Sequence, residues 1–192
     1  DVYKRQVSGW RTLGYADLGW EDFYGFYAAS SPYVLFVSGN SPYQTAQQLF
    51  DAMRGDPSMK WGNAGLGSIN QLTGSLMLEK LGLKGNSVPY DGGRSAAIKV
   101  VAGEVTWSWC GLSDILDLAQ SGDIRILGIC DSSPREIDCA KGNYTVPSLL
   151  DDYPELSDLQ GLLYWGFRVS RDTPADAVAK IRDAFQSTVD SK

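Results

Sequence analysis

The residues with the most chemical content lie in two short glycine-rich stretches. The first is Trp61-Gly62-Asn63-Ala64-Gly65-Leu66-Gly67-Ser68, followed by Gln71. A run able to form a strand enters a glycine turn, and the turn enters a helix whose start is marked by Ser68 and Gln71, an S-x-x-Q capping pattern. Glycine lets backbone N–H groups approach a ligand closely. A helix start adds unpaired donors and about half a positive charge. This combination binds an anion without lysine or arginine, with the Ser68 hydroxyl and the Gln71 amide placed to assist. The second stretch, Val88-Pro89-Tyr90-Asp91-Gly92-Gly93-Arg94, repeats the same logic. There Tyr90 offers a hydroxyl or a stacking wall, and Asp91 a helix cap. Neither stretch matches G-x-x-x-x-G-K-[ST] or G-x-G-x-x-G, so neither is a Walker loop or a dinucleotide fingerprint. Each also fits a plain tight turn with an ordinary cap.

Composition narrows the chemistry further. The chain has 192 residues, 17 basic and 23 acidic, a formal net charge of −6 and no histidine. Histidine-dependent nucleophilic triads and His-containing zinc sites are therefore excluded within this chain. Without a basic run it has no electrostatic footprint for nucleic acid. Its longest apolar runs, 34–37 and 162–167, are strand-sized and far below the ~18 residues of a membrane span. The opening residues 1–6 lack a secretory-signal pattern. No paired carboxylates stand at an acid–base spacing, and Asp151-Asp152 read as solvated surface. Of Cys110, Cys130 and Cys139, the last two could close a small loop in an oxidising compartment, or all three are unpaired. Cys110 has nothing basic nearby and reads as a structural thiol. Trp107 and Trp109, two apart on one strand, share a face and read as sheet packing rather than a ligand wall.

Elements that would position these stretches follow from periodicity. Strands are expected at 33–38, 59–62, 87–90, 105–110, 124–130 and 162–170. Helices are expected after Thr45 (inward face Ala46, Leu49, Phe50, Met53), after Ser68 (Ile69, Leu72, Leu76) and at 94–102 (Ala97, Ile98, Val101). Two more are expected at 112–120 (Leu112, Ile115, Leu116, Ala119) and after Thr173-Pro174 (Val178, Ile181, Phe185, Val189), the last with Thr173 as cap and Pro174 at the first helical position. Residues 131–159 break the rhythm and read as a connector with one short helix. Residues 1–18 fit no element. Strand and helix alternation with short loops implies an α/β fold, a mostly parallel sheet flanked by helices. Two glycine turns after neighbouring strands then open at one carboxyl edge, where ligands of such sheets bind.

The order Ser41-Pro42-Tyr43…Thr45, WGNAGLGS at 61–68, VPYDGG at 88–93, Ala102-Gly103-Glu104-Val105, Gly122-Asp123-Ile124-Arg125-Ile126-Leu127-Gly128, Val146-Pro147-Ser148-Leu149 and Asp172-Thr173-Pro174 resembles the substrate-binding proteins of tripartite tricarboxylate transporters. The likeness runs from about Ser31 to the end. It implies a periplasmic-binding-protein-like fold: two lobes hinged about a cleft that closes on a small carboxylate. It implies that residues 1–40 hold the remainder of a first lobe plus an unassigned N-terminus, 41–157 a second ligand-binding lobe, and 158–192 a return to the first. Asn63, Ala64, Gly65, Gly67, Ser68, Gln71, Tyr90, Asp91, Gly92 and Gly93 would line the cleft. The resemblance also implies a monomeric extracytoplasmic receptor, periplasmic or lipid-anchored, that partners membrane transporter subunits, with no catalysis, cofactor or metal.

Departures from the family pattern are informative. Its first-lobe P-x-x-x-G-G-x-x-D loop is not found, so the chain resembles an N-terminally incomplete member. Gln71 stands where a histidine is frequent, Thr106 where an aspartate is common, and Cys110 where a further acid occurs. Loss of that acid favours a plain carboxylate over an amino acid. The competing readings are an enzyme or a sensor binding a phosphorylated or carboxylated small molecule at the glycine loop. The enzyme reading needs a general base or metal set that the residues do not supply.

Overall fold

A computed structural model describes residues 11, 14, 16–160 and 163–191. They divide into two compact units, one spanning Ser31–Leu163 and one built from the flanking segments.

The Ser31–Leu163 unit is organised around a five-stranded sheet of β2 (Tyr33–Ser38), β3 (Lys60–Asn63), β4 (Asn86–Pro89), β5 (Trp107–Gly111) and β6 (Ile124–Cys130), in the order β4-β3-β5-β2-β6. β3 is parallel to β4 and β5, whereas β2 runs antiparallel to both its neighbours, β5 and β6. The expected mostly parallel, helix-flanked sheet is thus present. Tyr33 through Val37 are all fully buried because helices cover both faces. Tyr33, Leu35 and Val37 enter one core with α1 (Ala46–Gly55) and α2 (Ile69–Lys80). Val34 and Phe36 enter the other with α3 (Gly93–Val101) and α4 (Leu116–Ser121).

Helix α1 buries Ala46, Leu49, Phe50 and Met53, the face that periodicity indicates. Two other helices turn differently. On α2, Leu72 and Leu76 are 42% exposed, and the buried face is Asn70, Thr73, Gly74, Met77 and Leu78. The cause is the sheet beneath it. Trp61 and Trp107 stack at 5.1 Å, and Trp109 stacks on Tyr33 at 5.4 Å. Only small or polar helix residues fit over these rings: a Cβ on Gly74 would lie 2.7 Å from the Trp61 ring, and Trp109 Nε1 donates to Thr73 Oγ1 at 3.1 Å. The tryptophans are core, as expected. On α3 the buried residues are Gly93, Ala96, Ala97 and Val100, while Ile98 and Val101 face outward. A Cβ on Gly62 would lie 3.2 Å from that of Ala96, so small residues let α3 approach the sheet closely.

The expected helix at 112–120 is broken. A 3-10 turn at Leu112–Asp114 precedes α4, and Leu116 is exposed. Leu112 N donates to Pro32 O and Ser113 N to Ser31 Oγ, which hold the end of β5 against the chain entering β2. The 131–159 segment contains more than the expected short helix α5 (Leu149–Asp152): β7 (Arg135–Ile137) and β8 (Tyr144–Val146) form a hairpin. All three cysteines are free thiols. Cys130 is buried with its thiol on Leu156 O, so no Cys130–Cys139 bond is formed.

In the second unit, β1 (Phe23–Ser31) pairs with β9 (Leu163–Ser170), and α6 spans Ala175–Asp190. The expected first strand residue, Leu162, lies outside the described residues, as do residues 1–10. Pro174, not Thr173, occupies the cap of α6, and no side chain bonds there. Of the expected inward face only Val178 is buried; Phe185 packs edge-on against Phe26 and Phe167, and Val189 is exposed. A two-stranded sheet with one helix has too little facing surface to bury a whole helix stripe.

Candidate functional site

Because β3, β4 and β5 are parallel, the segments that follow them emerge at one edge: 64–68 into α2, 90–92 into α3, and the Leu112–Asp114 turn. The first two are knit together. Tyr90 N donates to Asn63 O at 2.9 Å, and a Cβ on Gly65 would lie 3.3 Å from Tyr90 O. Gly65, Gly67 and Gly92 have φ of 120°, 71° and 100°, so these turns require glycine.

The 64–68 turn is braced by the side chains expected to bind ligand. Asn63, 1% exposed, accepts from Gly65 N at 3.1 Å and donates to Ser87 Oγ at 2.8 Å. Gln71 accepts from Gly67 N at 2.6 Å and reaches Ser87 through its amide nitrogen at 3.3 Å. Ser68 Oγ accepts from Gln71 N, while Ser68 N donates to Gly65 O. The cap expected at Ser68 is therefore present, but Gln71 bonds the amide one residue before it rather than Ser68's own. Ala64 and Gly67 line the turn, half-buried. The amides of Gly65, Gly67 and Ser68 are engaged within the loop, so the main-chain cradle is narrower than the sequence suggested. A helix's first amides have no partner inside the helix. In α2, Gln71 N and Leu72 N are taken by Ser68, which leaves the Ile69 and Asn70 amides without an acceptor among the described residues.

The second turn is barer. Gly92, not Asp91, caps α3, and no side chain bonds there. The expected Asp91 cap fails because the glycine takes the capping position. Asp91 instead accepts from Ser95 Oγ through its carbonyl. Ala96 N is the first α3 amide with a main-chain acceptor, Gly92 O, so the Gly93, Arg94 and Ser95 amides have none among the described residues. Tyr90's ring packs beneath α3, and its hydroxyl donates to Glu104 at 2.9 Å, so the turn region does not receive it. Burial and that bond raise the Tyr90 pKa, while Lys99 first and Tyr90 second hold Glu104 below the usual carboxylate range.

The described cations near the edge, Arg94 and Lys99, are neutralised. Arg94 is gripped by both carboxylate oxygens of Asp117, and Lys99 pairs with Glu104. Helix starts add positive potential there. Burial pushes the Cys110 thiol well above its ordinary pKa, which makes it inert, as expected of a structural thiol.

Sequence reasoning missed three groups. Asp114 lies against the start of α3, its Oδ2 2.7 Å from where a Gly93 Cβ would be, and burial raises its pKa. Asn70, 6% exposed, has an amide nitrogen without a partner among the described residues, beneath the first turn of α2. The fully buried Tyr33 hydroxyl likewise has none within hydrogen-bond geometry among the described residues. Asp114 was hidden inside an expected helix, and Asn70 on a face expected to be solvent-exposed. Among the described residues, no group of three or more acidic or cysteine side chains could hold a metal, and no helix is long and apolar enough to cross a membrane.

Comparison with known proteins supplies the context for this edge. Residues 14–192 match the model of the tripartite tricarboxylate transporter family receptor. The chain belongs to that family. Solved structures share the fold. A TctC solute binding protein from Polaromonas is 20% identical, with a TM-score of 0.72 over 95% of this chain and 60% of that one. An R. palustris protein solved with adipate is 23% identical, with a TM-score of 0.70 over 88% of this chain and 53% of that one. MatC from Rhodopseudomonas palustris, with bound malate, is 20% identical, with a TM-score of 0.70 over 85% and 54%. The chain thus spans 60% or less of the length of these structures. No curated protein matches it.

Proposed function

We propose that the chain is the ligand-holding part of an extracytoplasmic solute receptor, periplasmic or lipid-anchored, that captures a small organic carboxylate for membrane transporter subunits. One observation carries this reading: two helix starts, α2 and α3, emerge side by side from adjacent parallel strands, and among the described residues their first amides have no main-chain acceptor and no cation between them is unpaired. Anions bind such starts because the N–H groups and the helix dipole point the same way. Each hydrogen bond to a charged acceptor contributes about 1.5–3 kcal/mol, and a few of them offset the cost of ordering the ligand.

In this reading Asn63 and Gln71 shape the cleft rather than touch the ligand. Ser68 retains a hydroxyl proton to donate, and Gly92 and Gly93 keep side chains away from the α3 amides. The ligand-binding lobe in this reading is the Ser31–Leu163 unit rather than 41–157 alone, since β2 (Tyr33–Ser38) lies between β5 and β6 in its sheet. Binding proceeds without turnover, since the edge holds no histidine and its thiol is buried. Family membership and the malate and adipate of the two neighbours support a C4–C6 dicarboxylate as the first ligand class to test.

Ser68→Asp separates binding from folding. Aspartate caps a helix as well as serine does, but it places a carboxylate where the ligand's would sit. The wild-type melting temperature is expected to rise with malate or adipate, and the rise is expected to vanish in Ser68→Asp while the unliganded melting temperature stays close to wild type. An undiminished rise in the variant, or no rise with any dicarboxylate, refutes the site.

A further inference from the structure

The opposite edge of the same sheet holds a second feature that the cleft does not use. Between the start of α1, strand β6 and the β7–β8 hairpin lies a cavity of about 370 Å³, within the size range of small-molecule sites. Arg125, on β6, lines this cavity and also a smaller neighbour of about 130 Å³. Among the described residues its buried Nε has no hydrogen-bond partner and the side chain forms no ion pair. A guanidinium that lines a cavity without a described carboxylate partner is suited to a charge-assisted bond with an anion.

Two further features converge on Arg125. Thr45 to Gln47, at the start of the ten-residue α1, line the cavity. Thr45 Oγ1 accepts from Gln48 N and Thr45 O from Leu49 N. The Ala46 and Gln47 amides have no acceptor among the described residues. Tyr144 also lines both cavities. Its hydroxyl oxygen accepts from Ile126 N at 3.3 Å, so its proton is free to donate, and the Arg125 charge acts on it. Lys141 adds a second cation in the smaller cavity, where its Nζ donates to Gly122 O at 2.9 Å. The carboxylate lining the larger cavity is that of exposed Asp152.

We propose that this cavity binds a small oxyanion, phosphate or carboxylate, held by the Arg125 guanidinium, the Ala46 and Gln47 amides and the Tyr144 hydroxyl. The site is independent of the cleft: it sits at the amino edge of the parallel strands and shares no residue with the α2 and α3 starts. Because Tyr144 belongs to the hairpin, the anion would tie the hairpin to α1 and β6.

The test is a ¹H–¹⁵N titration of the whole chain with inorganic phosphate and, in a separate arm, with malate. Saturable shifts of the Ala46 and Gln47 amides with either anion are expected, together with an apparent Kd raised about tenfold or more in Arg125→Gln. The wild-type spectrum decides the matter even if that variant folds poorly. Absence of saturable shifts at Ala46 and Gln47, or shifts confined to Ile69, Asn70, Gly93 and Arg94, overturns the proposal. The latter pattern would instead support the cleft. Shifts at Ala46 and Gln47 that survive unchanged in a folded Arg125→Gln overturn the role of the guanidinium, and with it the site.

Discussion

The turns at 63–68 and 90–93 are written in the same grammar, strand then glycines then helix, yet they use their polar groups in opposite ways. In the first, the side chains of Asn63, Ser68 and Gln71 hold the amides of Gly65, Gly67 and Gln71. In the second, Gly92 caps α3 without a side-chain bond, and the first α3 amides have no main-chain acceptor among the described residues. A capped helix start is stable and partly closed to ligands; an uncapped one costs stability and leaves donors available. In the proposed site the first turn would be the rigid wall, and the second would present the greater share of N–H groups.

The contrast can be broken most severely at the glycines. Gly65→Val adds a branched side chain at φ 120°, against Tyr90 O, and is expected to cost about 3 kcal/mol in urea unfolding. Gly92→Ala has a similarly unusual φ of 100° but open space around it, so about 1–2 kcal/mol is expected. Equal losses would show that contact between the turns contributes nothing. Gln71→Leu removes the acceptor of Gly67 N from the braced turn, and a loss of about 1 kcal/mol by the same measurement is expected. No change would mean that the brace is incidental.

The smallest effect concerns Asp114, beside the bare turn. Burial raises its pKa in the folded protein above the ordinary 3.8. The folded state therefore holds the proton more tightly than the unfolded chain does. Stability from this group is complete below pH 3.8 and is lost as pH rises through the higher folded pKa. Asp114→Asn should remove that loss, so the stability of the variant relative to wild type should increase with pH across the window. A difference independent of pH would show that Asp114 is solvated and does not crowd α3.

Much of the architecture was legible. The buried run Tyr33–Val37, the α1 face and the Ser68 cap all follow from local pattern, because apolar periodicity and capping chemistry act within a few residues. The faces of α2 and α3 were not legible. Hydropathy selects Leu72, Leu76, Ile98 and Val101, yet the sheet accepts Gly74 and Thr73 over its indoles and Ala96 over Gly62. Which side of a helix turns inward depends on the shape of the surface below it, and that surface is assembled from residues distant in the chain. The β7–β8 hairpin was hidden for a related reason: short polar strands carry little periodic signal.

At the candidate site the same division holds. The sequence by itself determined where the two turns fall, that they need glycine, and that helix starts follow them, since backbone conformation and capping are local. Only the tertiary structure decided which amides are left open, that Asn63 and Gln71 brace rather than reach outward, that Tyr90 turns to Glu104, and that Asp114 and Arg125 stand where they do. A donor is free or engaged according to what the rest of the chain brings within about 3 Å of it, and spacing along the sequence cannot encode that distance.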